Sequence, residues 1–129
     1  MATHDDVRRI VSQLPGAQEG DGRFGFSVQI KGKWKGFCWT WMERVTLKKP
    51  KVENPGVLAI IVRNLTEKDI LNDSDPEKFA TDPHYNGFPA VLVRLDKIQL
   101  DELEDLLIEA WRVKADPKIV REYDGTARS

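Results

Sequence analysis

Between residues 24 and 30 the chain places Phe24, Phe26, Val28 and Ile30 at every second position, separated by Gly25, Ser27 and Gln29. Side chains of an extended chain point alternately to opposite faces, so this pattern makes a half-buried strand that needs an apolar layer to cover it. The pattern returns at residues 37–42, with Phe37, Trp39 and Trp41 on one face and Cys38, Thr40 and Met42 on the other. The two apolar faces match, which predicts a hairpin with Trp39 and Trp41 in its core. Lys31 to Lys35 form the connection, where glycines permit a tight turn or a bulge.

The remaining elements supply the cover. Thr3 is placed as an N-cap, with Asp5 and Asp6 in a first turn and Val7, Ile10, Val11 and Leu14 at helical spacing. Pro15-Gly16 closes that helix, and a polar turn follows. Asn54-Pro55-Gly56 punctuates the chain before the apolar run 57–62, a third main strand. Thr66 and Asp69 have the spacing of a capping box for a short helix. The turn-rich stretch after it holds a short strand near Phe79, and residues 90–95 form the last strand. Leu100, Leu103, Leu106, Leu107, Ala110 and Trp111 then share one face of a long helix, with acids at its start and Arg112 and Lys114 at its end. A short helix follows Asp116-Pro117, with the last six or so residues fraying. The expected fold class is α+β in two layers: an antiparallel sheet of about five strands in the order α-β-β-β-α-β-β-α, with a short C-terminal helix.

A chain of 129 residues is long enough for one core and too short for two, so residues 1–129 are expected to form a single domain. No stretch approaches the roughly 20 apolar residues that cross a bilayer. MATHDDVRRI lacks the apolar segment of a secretory signal, which points to the cytoplasm.

Charge is distributed unevenly. Residues 31–51 hold six lysines and one arginine against one glutamate, a net charge of +6, leaving −7 for the remainder of a chain whose total is −1. Such a split gives a positive surface on a nearly neutral protein, the feature a polyanion would meet. Within it, Trp34 has no periodic reason to be buried and sits between lysines. The candidate nucleic-acid contacts are Lys31, Lys33, Trp34, Lys35, Arg44, Lys48, Lys49 and Lys51. The plainer reading of the same residues is a solvated basic hairpin.

Other chemistry is poorly represented. His4 and His84 are the only histidines and Cys38 the only cysteine, so neither a metal set nor a nucleophile with a positioned base can be assembled from sequence. Cys38 reads as a small buried hydrophobe. The loop DPHYNGFP displays His84, Tyr85 and Asn86 and is a possible functional loop, although turn chemistry accounts for Asp82, Pro83, Asn86 and Gly87.

Leu14-Pro15-Gly16, the strand ending in IKGK, PHYNGFPAVLVRLD and the amphipathic DELEDLLIEAWRVKA, in this order and spacing, together resemble the MmcQ/YjbR family of small bacterial proteins. The resemblance runs from about Val7 to Val120 and departs from the family pattern at Phe88-Pro89. It implies a secretion-chaperone-like α+β fold with helices on an antiparallel sheet. It also implies DNA binding, the role by which the family is described, and brings no catalytic residues. The expectation is therefore a non-enzymatic cytoplasmic DNA-binding protein, monomeric by default, without cofactor, metal or membrane contact. The alternative is a chaperone-like protein-interaction domain with a protein partner.

Overall fold

The helix that Thr3 opens carries a complete capping box. The Thr3 hydroxyl accepts from the Asp6 backbone N–H at 3.1 Å, and the Asp6 carboxylate accepts from the Thr3 backbone N–H at 2.9 Å. In the computed structural model, which describes residues 2–43, 50 and 52–127, this helix is α1 (His4–Val11). It is followed by β1 (Gln18–Glu19), β2 (Gly25–Ile30), β3 (Lys33–Glu43), β4 (Val52–Ile61), α2 (Leu65–Ser74), β5 (Phe79–Ala80), β6 (Ala90–Arg94), α3 (Leu100–Lys114) and α4 (Pro117–Ala127). The six strands form one antiparallel sheet in the order β1-β2-β3-β4-β6-β5, with the helices packed on it. The α+β class is as expected, with β1 as an additional short strand inside what reads as a turn.

Val7, Ile10 and Val11 of α1 and Leu103, Leu107, Ala110 and Trp111 of α3 are buried in one cluster with Phe26, Val28, Phe37, Cys38, Leu58, Ile60, Val91 and Val93 of the sheet. Trp111 is fully buried and donates its indole N–H to the Pro15 carbonyl at 2.9 Å, while Tyr123 of α4 packs edge-on against it at 5.0 Å. The Asn-Pro-Gly punctuation lies inside β4. Trp41 pairs with Asn54 and Thr40 with Leu58, so three extra residues loop out of the ladder there. The second helix is capped by Asn64, whose side chain accepts from the Glu67 N–H at 2.8 Å; Thr66 is within the helix. The last helix is regular through Ala127, further than fraying would allow.

The largest departure concerns the tryptophans. Ser27 pairs with Gly36 and Phe26 with Cys38, so β3 carries one extra residue at Phe37, a β-bulge. The bulge turns both Phe37 and Cys38 toward the helices and shifts Trp39 and Trp41 to the opposite face. There they join Val57, Ala59, Ala80 and Leu92 in a second, smaller cluster and are half-buried. Strict alternation through residue 37 gives the wrong face, because one inserted residue inverts every side chain after it. Gly36 makes room for the Trp39 indole, since a Cβ there would lie 3.5 Å from the ring, and Gly25 for the close approach of the strand, since a Cβ there would lie 2.9 Å from the Cys38 carbonyl oxygen and 3.1 Å from Trp39 Cβ.

Candidate functional site

The β2–β3 hairpin closes through two residues. Ile30 pairs with Lys33, and the residues between them, Lys31 and Gly32, have φ of 51° and 81°. Positive φ at both central positions is the mark of the type I′ turn, whose twist matches that of the flanking strands. The connection is thus shorter than the Lys31–Lys35 loop expected from sequence, and Lys33, Trp34 and Lys35 lie in strand. β1 pairs with β2 only at Ser27 and Phe26, and the ladder between β3 and β4 begins at Cys38. Among the described residues, Val28 to Gly36 therefore have no strand beside them except each other. They form a two-stranded ribbon that extends past the rest of the sheet.

The ribbon carries Lys31, Lys33 and Lys35 and no acid, and all three lysines are exposed. Among the described residues none of the three enters an ion pair, whereas Arg8, Arg9, Arg63, Lys78 and Arg112 are all held by carboxylates. Residues paired across strands share a face. Lys33 pairs with Ile30 and Lys35 with Val28, which puts both on the helix side of the sheet, while Trp34 pairs with Gln29 and faces the other way. Trp34, 51% exposed, lines a cleft of about 290 Å³ with Gln18, Glu19, Gly20, Asp21 and Ser27. The lysines and the indole are adjacent but not coplanar.

Arg44, Lys48, Lys49 and Lys51 lie outside the described residues. Their attachment points, Glu43 and Val52, pair at the end of β3 opposite the Lys31-Gly32 turn. The 11 residues of β3 separate the two ends by on the order of 30 Å.

The second sequence candidate, His84-Tyr85-Asn86, lies in a 3-10 turn whose first N–H groups are capped by Asp82. The segment from Asp82 to Pro89 is strapped across the tryptophan face. Trp39 donates to the Tyr85 hydroxyl at 3.0 Å and Trp41 to the Asp82 carboxylate at 2.7 Å. Buried Lys68 of α2 fastens the strap from the other side, donating to the carbonyls of Tyr85 and, at 2.8 Å, Phe88. Burial lowers the Lys68 pKa from its usual 10.5. Tyr85 is therefore a structural link, His84 and Asn86 are exposed, and neither reaches the lysine ribbon. Sequence reading misses Lys68, since a lone lysine in a polar helix carries no signal of burial. It also misses Gln18, Asp21 and Ser27, which meet Trp34 only through strand pairing.

His4 is committed elsewhere: its ring stacks on Phe24 at 4.0 Å, and Nε2 lies 2.7 Å from the Pro55 carbonyl oxygen. Cys38 is buried, and desolvation pushes its thiol pKa well above the ordinary value, leaving no thiolate for chemistry at neutral pH. Among the described residues no group of three His, Cys, Asp or Glu side chains could hold a metal ion, and no helix is long and apolar enough to cross a membrane.

No family model matches the chain. The uncharacterized protein Rv2570 of Mycobacterium tuberculosis is 33% identical over 132 residues, covering 95% of this chain and 96% of that protein. The uncharacterized protein Mb2600 of Mycobacterium bovis gives the same figures. The crystal structure of Deinococcus radiodurans protein DR2400, a DUF419 domain, matches with a TM-score of 0.69 at 23% identity, over 97% of this chain and 89% of that one. This last likeness is one of fold.

Proposed function

The chain belongs to the same family as Rv2570 of Mycobacterium tuberculosis, and we propose that it is a non-enzymatic DNA-binding protein that holds the phosphate backbone with its β2–β3 ribbon. The ribbon itself carries this reading: a projecting pair of strands with three exposed lysines, no acid and, among the described residues, no internal counter-charge. A two-stranded ribbon has the width to enter a major groove or to lie along an unpaired strand. Its tight turn fixes the backbone that carries the lysines, so the order still to be gained on contact is that of their side chains. The finer family assignment, to MmcQ/YjbR, is part of the same proposal and draws on the order of the IKGK, PHYNGFP and DELEDLL segments.

Three lysine–phosphate contacts predict a log K that falls with log salt at a slope of about −2.7 on duplex DNA and about −2.1 on single strands. A fluorescence-anisotropy titration at several salt concentrations measures it. Absence of binding at low salt, or binding insensitive to salt, removes the reading. A protein-interaction role draws on a different feature, the exposed Leu65 and Ile70 of α2. It requires those residues, and not the ribbon lysines, to govern binding.

A further inference from the structure

We propose that the cleft beside Trp34 is a base subsite, which takes one unpaired base bearing an exocyclic amino group in preference to thymine or uracil. This rests on the nucleic-acid reading of the ribbon and adds the ligand group that the other face of the ribbon would hold.

The cleft joins an aromatic platform to a short row of polar groups. Gln18, Ser27 and Gly36 lie side by side across β1, β2 and β3, and Trp34 stands beside that row on the same face. Trp34 is 51% exposed, so its indole is accessible from solvent. A nucleobase is the flat, π-faced group that such a platform accepts, provided it is not already stacked in a duplex.

Charge decides what else the cleft prefers. Two carboxylates line it, but Glu19 is occupied: Arg8 Nε and Nη2 donate to its two oxygens at 3.0 and 3.2 Å. Asp21 is exposed and, among the described residues, unpaired, so it is the free charged acceptor of the cleft, beside the neutral Gln18 amide and Ser27 hydroxyl. An acceptor-only carboxylate suits the amino group of cytosine, adenine or guanine, whereas an unpaired thymine or uracil offers it only N3–H, set between two carbonyl oxygens that repel a carboxylate. A cationic peptide would also suit an indole and a carboxylate. Lys31, Lys33 and Lys35 on the adjoining ribbon repel it, and the same lysines attract a phosphate chain that crosses the open edge of β3.

The test compares labelled oligo-dC and oligo-dT of equal length by anisotropy at low salt and neutral pH, with melting temperatures confirming that each variant is folded. Wild type is expected to bind oligo-dC at least about fivefold more tightly than oligo-dT. Trp34→Ala should weaken both by about 5- to 150-fold, the range for lost base stacking, with the salt slope unchanged, and Trp34→Phe should recover most of the loss. Asp21→Ala should level the two oligonucleotides. Lys33→Ala combined with Lys35→Ala should shallow the slope by about 1.4 while keeping the oligo-dC preference. Equal binding of the two by wild type, or indifference to Trp34 and Asp21 while the lysine variant still changes the slope, overturns the subsite and leaves the ribbon reading standing. Absence of any binding overturns both. Binding of octa-arginine that depends on Trp34 and Asp21 assigns the cleft to a protein partner and overturns the subsite.

Discussion

The indole of Trp39 donates to the hydroxyl of Tyr85 across 46 positions of sequence, at 3.0 Å. Two stretches that look unrelated in the chain, the tryptophan strand and the DPHYNGFP loop, are thus one unit: the loop covers the sheet face opposite the one on which α1 and α3 pack. Phe88 completes it, its ring 6.3 Å from Trp39 and 6.0 Å from Tyr85.

The tryptophans should accordingly differ in what they contribute. Trp111, fully buried under α4, should cost about 3–5 kcal/mol when replaced by alanine. Trp39→Ala and Trp41→Ala should cost clearly less, because both side chains are half-buried and their removal opens the cluster to water rather than leaving a sealed cavity. Tyr85→Phe removes only a hydrogen bond and should cost about 1 kcal/mol. Urea denaturation midpoints rank the four variants; equal losses for Trp39→Ala and Trp111→Ala would contradict the two-cluster description.

The strap has a second anchor in Lys68. Replacing it by methionine keeps the aliphatic stem and removes the donor shared by the Tyr85 and Phe88 carbonyls. The expected loss is about 1–3 kcal/mol, offset in part because a buried cation disappears with it. Tryptophan emission should shift to the red as the strap loosens over Trp39 and Trp41. A variant with unchanged emission and unchanged hydrogen exchange at residues 85–88 would show that the strap holds without the lysine.

The features legible in sequence are those set by local rules. Thr3 and Asp6 obey capping chemistry within one turn, and the apolar stripe from Leu103 to Trp111 needs only helical spacing to be read. Faces were lost where one residue changes the count. The bulge at Phe37 has no compositional mark, so the alternation from Phe37 to Trp41 reads cleanly and is inverted from Cys38 onward. For the candidate site, Lys31, Lys33, Lys35 and the exposure of Trp34 follow from composition and lack of period. The assignment of Lys33 and Lys35 to one face and Trp34 to the other depends on a turn of two residues, which the pair of glycines does not specify. The company of Trp34 in the cleft comes from β1, whose two residues are too few to show a pattern.

The α1 capping box gives a pH-dependent contribution with a defined sign. The Asp6 carboxyl is held below its ordinary 3.8, first by the Thr3 backbone N–H, then by the Thr3 hydroxyl, with Arg9 adding to both. A folded-state value below the unfolded one means that the unfolded chain binds more protons as pH falls. The Asp6 contribution is therefore present above about pH 4 and is lost as pH drops through the folded value. Thr3→Ala removes the hydroxyl and leaves the backbone donor, so NMR titration should find the Asp6 pKa raised part of the way back. No movement would assign the shift to the backbone contact and Arg9 alone.

Lys31 offers a test in which stability and binding move in opposite directions. It is the one described non-glycine residue with positive φ, and a lysine in that region is strained relative to asparagine, the residue preferred before glycine in a type I′ turn. Lys31→Asn keeps the two-residue connection, relieves the strain and should stabilise the protein by a few tenths to about 1 kcal/mol. The same change removes one of the three ribbon ammoniums. If the ribbon holds phosphates, the salt slope on DNA should become shallower by about 0.7 to 0.9 while the melting temperature rises. A conformational cause cannot produce that pair of results, because a better-formed hairpin alone would strengthen binding. Loss of stability in Lys31→Asn would count against the turn geometry, and an unaltered slope would take Lys31 out of the interface.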